Sequence, residues 1–129
     1  MTPYLSFSGN CEEALNFYAS VLGGKIEGLN RFAGSPMESD VPADFKNKIL
    51  HGSLTSPLGT LMGADSSQPL DKGNRVSLSI TPQAADADRI FGRLADGGAV
   101  MMPLQEVFWG GRFGVVTDRY GFSWMLSVT

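Results

Sequence analysis

His51 is the only histidine in this chain, and it heads an apolar run from Ile49 to Thr55. An imidazole changes charge near neutral pH, so His51 is a candidate general base or ligand anchor; the competing reading is a hydrogen-bonded structural residue at a strand start. Carboxylates offer partners. Glu106 adjoins an aromatic loop and can supply acid/base chemistry or simply be solvated. Asp65 closes the run Leu61 to Asp65 and can hold a ligand hydroxyl or amine, or cap the turn into Ser66-Ser67. Asp118 faces the same choice, with the turn role preferred. The densest cluster of binding-type residues is Gln105 to Gly114, where Phe108, Trp109 and Arg112 sit among glycines. A stacking surface and a planar cation suit an aromatic or anionic ligand, and glycine lets the backbone approach it; the alternative is that the aromatics plug a sheet end or pack across a dimer interface. Trp124 and Met125 alternate on a last strand, so one faces a concavity and the other the helices, and Met62 carries the same ambiguity. Met62 and Trp124 therefore join the candidate ligand contacts. Cys11 falls in the first turn of a helix, where the dipole can lower its pKa, yet it also fits an apolar stripe, and a buried inert thiol is the preferred reading.

The elements that position these residues can be read along the chain. Pro3 to Ser8 is a short strand, and Asn10 with Glu13 three residues on gives a capping box for a helix carrying Cys11, Leu15, Tyr18 and Leu22. Gly23-Gly24 stops it. A strand follows from Lys25 to Phe32, then a segment without periodicity, 33–46, expected to be a mobile loop. Ile49 to Thr55 and Thr60 to Ala64 form a hairpin, and Ser66 to Asn74 is a second loop. From Arg75 the order repeats: a strand to Ile80, Thr81 as N-cap with Pro82 in the first turn, a helix carrying Ala87, Ile90, Phe91 and Leu94, then Gly97-Gly98. Aligning the two Gly-Gly pairs places Phe17 on Phe91, Val21 on Ala95 and Ile26 on Val100. Asp118 to Gly121 is a type I turn between the last two strands. The pattern is α+β: two βαβββ modules, about 1–73 and 74–129, within a single domain whose curled mixed sheets share a concavity.

The chain's 129 residues suit one ordinary domain. Hydrophobic residues make up 43% and charged ones 18%, the latter low enough to hint at a subunit interface. A net charge of −3 with 10 scattered Lys and Arg argues against a nucleic-acid partner. One cysteine allows no internal disulfide, and neither a membrane-length apolar run nor a leader is visible, so a cytoplasmic protein is expected.

Tyr4-Leu5-Ser6-Phe7, Gly9-Asn10-Cys11, Ala14-Leu15, Phe17-Tyr18, Leu22-Gly23, His51 leading a strand, Leu61-Met62 with Asp65, and the stretch Trp109 to Trp124 together resemble the PhnB-like family of the vicinal oxygen chelate superfamily, which includes glyoxalases, bleomycin-resistance proteins and extradiol dioxygenases. The resemblance implies paired βαβββ modules, a homodimer and a small-molecule cavity. It also allows a test for metal. Ligands in the superfamily's metal enzymes come from the first and last strands of each module, which fall here at about Pro3, Met62, Arg75 and Met125. Neighbouring choices are Thr2 or Tyr4, Leu61 or Gly63, Asn74 or Val76, and Trp124 or Leu126. None is a histidine or a carboxylate, so no metal site and no cofactor are expected. The function expected is metal-free binding of a small molecule through Met62, Asp65, Trp109, Arg112 and Trp124; the alternative is an isomerase or lyase using His51 with Glu106 or Asp65.

Overall fold

A computed structural model of the chain describes residues 1–71, 73 and 75–129. The chain runs β1 Tyr4–Phe7, α1 Cys11–Leu22, β2 Lys25–Arg31, β3 Ile49–Ser56, β4 Gly59–Asp65, β5 Ser77–Ile80, α2 Ala84–Ala95, β6 Ala99–Glu106, β7 Arg112–Thr117 and β8 Ser123–Val128. Two compact units result, Met1–Asp71 and Lys72–Thr129. The predicted start of the second module, Asn74, lies outside the described residues. Each unit is βαβββ, as the repeated order predicts. The first sheet has strand order β1-β4-β3-β2 and the second β5-β8-β7-β6. In both, the strand before the helix lies parallel to the last strand of its unit, β1 on β4 and β5 on β8, and the other neighbours are antiparallel.

Each helix covers one face of its own sheet. In the first unit Leu5, Phe7, Leu15, Tyr18, Leu54 and Leu61 are buried, and in the second Ile80, Ile90, Leu94, Val116, Trp124 and Leu126. Period-2 alternation leaves the opposite face for other residues: along β8, Trp124, Leu126 and Val128 are buried while Ser123, Met125 and Ser127 are half-buried.

The predicted capping box is replaced by a long-range contact. Asn10 makes no side-chain capping bond. The amides of Gly9 and Cys11 instead donate to Asp65 Oδ1 at 3.0 and 2.9 Å, and the Ile49 amide donates to Asp65 Oδ2 at 2.9 Å. One carboxylate at the end of β4 thus holds the start of α1 and the start of β3, and its charge meets the positive end of the helix dipole. The second helix also departs from prediction. It starts at Ala84, with Gln83 extended (φ −61°, ψ 144°) as its N-cap, because Pro82 is buried in the approach to the helix instead of occupying its first turn.

The two Gly-Gly pairs follow their helices differently, since Gly23 is itself the C-cap of α1 whereas α2 ends at Ala95 with extended Asp96 as its C-cap, one residue before Gly97. Gly23 (φ +69°) and Gly97 (φ +77°) take left-handed backbone, and a Cβ on Gly24 or Gly98 would collide with the carbonyl oxygen of Thr55 or Thr117 respectively. The segment 33–46, predicted to lack regular structure, contains 3-10 turns at Glu38–Asp40 and Ala43–Phe45. It is closed at its neck by Phe32 N–H to Lys48 O at 3.2 Å and Ala33 N–H to Lys46 O at 2.8 Å, with the Phe32 and Phe45 rings 5.5 Å apart.

Asp65→Ala is expected to lower the unfolding free energy by about 3–5 kcal/mol, since three amides lose an ionised acceptor. Asp65→Asn, which keeps one acceptor oxygen, is expected to cost about half as much. Urea titrations of the three proteins measure both; a loss below about 1 kcal/mol for the alanine variant would contradict this role.

Candidate functional site

The open face of the first sheet can be assembled from its register. Tyr4 pairs with Met62 and Met62 with Ser53, while Ser6 pairs with Ala64 and Asn30 with His51. Gly52 pairs with Gly63, which brings His51 level with Ala64. That small side chain lets groups from β1 and β3 meet over β4: the Tyr4 hydroxyl and His51 Nδ1 are hydrogen-bonded at 3.0 Å, with their rings 5.6 Å apart and inclined at 36°. Tyr4 is 52% exposed. Partial burial, and secondarily the Cys11 sulfur, push its phenol above the ordinary value, so it stays a neutral phenol at physiological pH.

Beside His51 lies a cleft of about 580 Å³, bounded by Leu29, Asn30, Arg31, Ala33, Ser35 and His51. Arg31 is the cation on its rim, and it is occupied, donating to the Asn47 carbonyl at 2.7 Å and to Glu12 Oε2 at 2.9 Å. The hydrogen bond from Arg31 holds the Glu12 carboxyl below the usual range. The cation at the cleft is therefore already paired.

Two predicted ligand contacts face the other way. Asp65 is buried on the helix side of its sheet with the three amides described above, so it neither binds a ligand on the open face nor merely caps the turn into Ser66-Ser67. Trp124 is 1% exposed, and its indole N–H donates to Asp118 Oδ2 at 2.8 Å. Asp118 Oδ1 accepts from the Tyr120 and Phe122 amides at 2.9 and 3.0 Å, so the turn role preferred for it is the one it has. The strand phase decides all of this: one position away, Ala64 in β4 and Met125 in β8 reach the open face, as does Met62 two residues before Ala64.

Arg112 also has a partner. Its register with Glu106 and Val128 places it on the helix side of the second sheet, where its guanidinium bonds Asp88 of α2 at 3.0 and 3.4 Å. Glu106 is exposed on β6. It belongs to the second unit and His51 to the first, and within the first unit the group that meets His51 is a phenol rather than a carboxylate. Trp109 stands at the β6–β7 turn, 59% exposed, edge-on to the almost fully exposed Phe108 at 4.9 Å and to Phe113 at 5.8 Å. Tyr4 is the site residue that sequence reasoning missed as a functional group. The signal was its phase, since Leu5 and Phe7 are the core positions of β1 and Tyr4 lies opposite them.

The resemblance implies ligand positions at about Pro3, Met62, Arg75 and Met125. The residues of the strands at or beside those positions that reach the open faces are Tyr4 and Ser6 on β1, Met62 and Ala64 on β4, Ser77 and Ser79 on β5, and Ser123, Met125 and Ser127 on β8. Ser77 and Ser123 are hydrogen-bonded to each other, Oγ to Oγ, at 2.9 Å. No imidazole or carboxylate stands at these positions, and among the described residues no three His, Cys, Asp or Glu side chains cluster. Hydroxyls and thioethers do not fit a zinc, nickel or iron centre of the glyoxalase kind.

Over residues 1–127 the chain matches the family described as 3-demethylubiquinone-9 3-methyltransferase. Protein YjdN of Escherichia coli (strain K12) is 30% identical, with the alignment covering 99% of this chain and 94% of that protein. Among solved structures, protein PA1353 from Pseudomonas aeruginosa is 40% identical with a TM-score of 0.87, covering 99% of this chain and 96% of the other. The PhnB protein from Bacillus cereus, which carries the same methyltransferase designation, is 28% identical with a TM-score of 0.83 over 100% and 98% of the two chains. The fosfomycin resistance protein FosX from Listeria monocytogenes, 12% identical with a TM-score of 0.68 over 98% and 90%, shares the fold.

The site's surroundings predict two spectroscopic results. Cys11 is fully buried, and burial, then the charges of Asp65 and Glu12, push its thiol up to about 12. A thiol reagent at about pH 8 is therefore expected to leave the native protein unlabelled and to titrate one thiol per chain in denaturant; rapid native labelling would contradict the packing. With Trp124 sealed in the core, iodide is expected to quench Trp109 alone, so that Trp109→Phe leaves only unquenchable tryptophan emission.

Proposed function

The chain belongs to the 3-demethylubiquinone-9 3-methyltransferase family, the PhnB-like proteins of the vicinal oxygen chelate superfamily, and from that premise we propose that it is a metal-free small-molecule binding protein. The observation that carries this reading is the open face of the first sheet, where the Tyr4–His51 pair and Met62 stand among small hydroxyl residues while the nearby carboxylate, Asp65, is turned into the core. Such a face supplies hydrogen-bond donors and acceptors and a soft apolar contact, with its charges, Lys25 and Glu27, paired with each other beside Thr55. The ligand it suits is neutral and amphipathic, with a carbonyl or hydroxyl for the Tyr4–His51 pair and an apolar or aromatic portion for Met62. The anionic ligand suggested by Arg112 fits less well, because that guanidinium is bonded to Asp88. Trp109 remains the proposed stacking group of the second unit.

The methyl transfer in the family's description is not part of the proposal. A homodimer is proposed as well. Its support is the low share of charged residues, 18%, and the exposed apolar side chains Val100, Met101 and Met102 along β6. Among the described residues no helix is long and apolar enough to cross a membrane.

Thermal-shift measurements with neutral aromatic ketones, phenols and lactones at about millimolar concentration test the binding. Stabilisation by members of this panel is expected, with affinity lowered about 3- to 10-fold by Tyr4→Phe, the equivalent of one hydrogen bond. Met62→Glu is expected to abolish it while the free protein stays folded. Absence of stabilisation across the panel would sink the reading. Light scattering should give twice the 13.8 kDa mass of one chain; a monomer at micromolar concentration refutes the dimer.

A further inference from the structure

A hydrogen-bonded phenol and imidazole can do more than hold a ligand. With both groups neutral, the contact between Tyr4 Oη and His51 Nδ1 exists in two forms. In one, Tyr4 donates to Nδ1, and Nε2 carries the outward N–H. In the other, Nδ1–H donates to the phenol oxygen, so the phenol O–H and the bare Nε2 both face outward. Either form presents one donor and one acceptor, and passage between them moves a proton in at one end and out at the other.

We propose that Tyr4 and His51 act as a neutral tautomeric proton relay that enolises a bound carbonyl compound carrying a hydrogen on the adjacent carbon. This rests on the open face being the ligand site. In the step, the bond from that carbon to hydrogen breaks and the proton goes to Nε2, while the electron pair left behind forms the carbon–carbon double bond. The carbonyl π pair takes the Tyr4 hydroxyl proton, and the Nδ1 proton passes to the phenol oxygen. The products are an enol, an Nε2–H imidazole and an intact phenol. Return of the proton to the same carbon gives exchange, and to the neighbouring carbon, in a hydroxy-carbonyl compound, gives isomerisation. No oxidant, metal or external base enters the balance.

The surroundings favour this neutral route over a charged one. Arg31 is bonded to Glu12 and the Asn47 carbonyl, Asp65 lies on the opposite face, and Glu27 on the open face is held by Thr55 and Lys25, so each of these charges is engaged by another partner rather than by the Tyr4–His51 pair. Burial also holds the phenol above its ordinary value, so a proton given up by Tyr4 must be replaced at once, and Nδ1 lies 3.0 Å away to replace it. The Cys11 thiol cannot take part, being fully buried on the helix side.

The single histidine makes the relay readable without a ligand, because one pair of ring nitrogens appears in the 15N spectrum. At about pH 8.5, where an ordinary imidazole is neutral, wild-type protein is expected to show both nitrogens at averaged positions, and Tyr4→Phe to move them toward the Nε2–H form. A wild-type imidazole locked in one tautomer, or identical nitrogen shifts in the two proteins, overturns the proposal. Hydroxyacetone in D2O supplies the chemical test, followed by proton NMR. Exchange of its methylene hydrogens is expected to be on the order of a hundredfold faster with wild type than with Tyr4→Phe or His51→Gln; equal rates overturn the relay. Hydroxyacetone exchange that both variants lose, together with a null thermal-shift panel, would uphold the relay and defeat the wider binding reading alone, whereas stabilisation by the panel with a locked imidazole would do the reverse.

Discussion

A single buried carboxylate organises the first unit. Asp65 takes hydrogen bonds from Gly9, Cys11 and Ile49, and so joins the last residue of β4 to the start of α1 and the start of β3. Buried amides at a helix start must find acceptors, and the local candidate, Asn10, leaves them to a residue far along the chain. The fold answers an obligatory local demand with a long-range tie, which makes the start of the helix conditional on the sheet. Asp118 plays a related part in the second unit, where it gathers the backbone of its own turn and the indole of Trp124. In both units an ionisable group works as an internal fastener.

That use of carboxylates shapes the other side of the sheets. Along a strand the two faces alternate, so a residue committed to the helix side is lost to the open side. Asp65 inward leaves Met62 and Ala64 outward, and Trp124 inward leaves Ser123 and Met125 outward. The result on the first sheet is a surface of hydroxyls and a thioether on which His51 and Tyr4 meet, with the Lys25–Glu27 ion pair beside Thr55. In metal enzymes of the same superfamily the corresponding strands carry ligands, and the chemistry here must come from hydrogen bonding instead. The small Ala64 matters in that setting, because a larger residue there would separate Tyr4 from His51.

Much of the architecture was legible in the sequence because it rests on local chemistry: the apolar stripes of both helices, the glycine stop of α1, the Asp118–Gly121 turn and the repeated order of elements all follow from short-range patterns. The α1 cap was misread because its acceptor lies at the end of β4, and no window of neighbouring residues contains it. The start of α2 was misplaced because Pro82 has two good uses, first turn or core, and only packing chooses between them. The site was less legible than the fold. Candidate residues were identified by type, but strand phase decides which face each one sees, and a shift of one residue exchanges them. Trp124 and Asp65 fell on the wrong side for that reason, and Arg112 was assigned to a ligand because its Asp88 partner sits on a different element. Tyr4 escaped notice because its partner comes from β3, across an intervening strand.

The two Gly-Gly pairs carry a further implication. At Gly24 and Gly98 any side chain would run into a strand carbonyl, and at Gly23 and Gly97 the backbone is left-handed. Positions so closed to substitution drift least when a duplicated segment diverges. Phe17 and Phe91, or Ile26 and Val100, can wander through the apolar alphabet, but the glycines stay in place. The strongest internal echo of this chain is therefore carried by its smallest residues, which makes them the fixed points for tracing a common ancestry of the two halves.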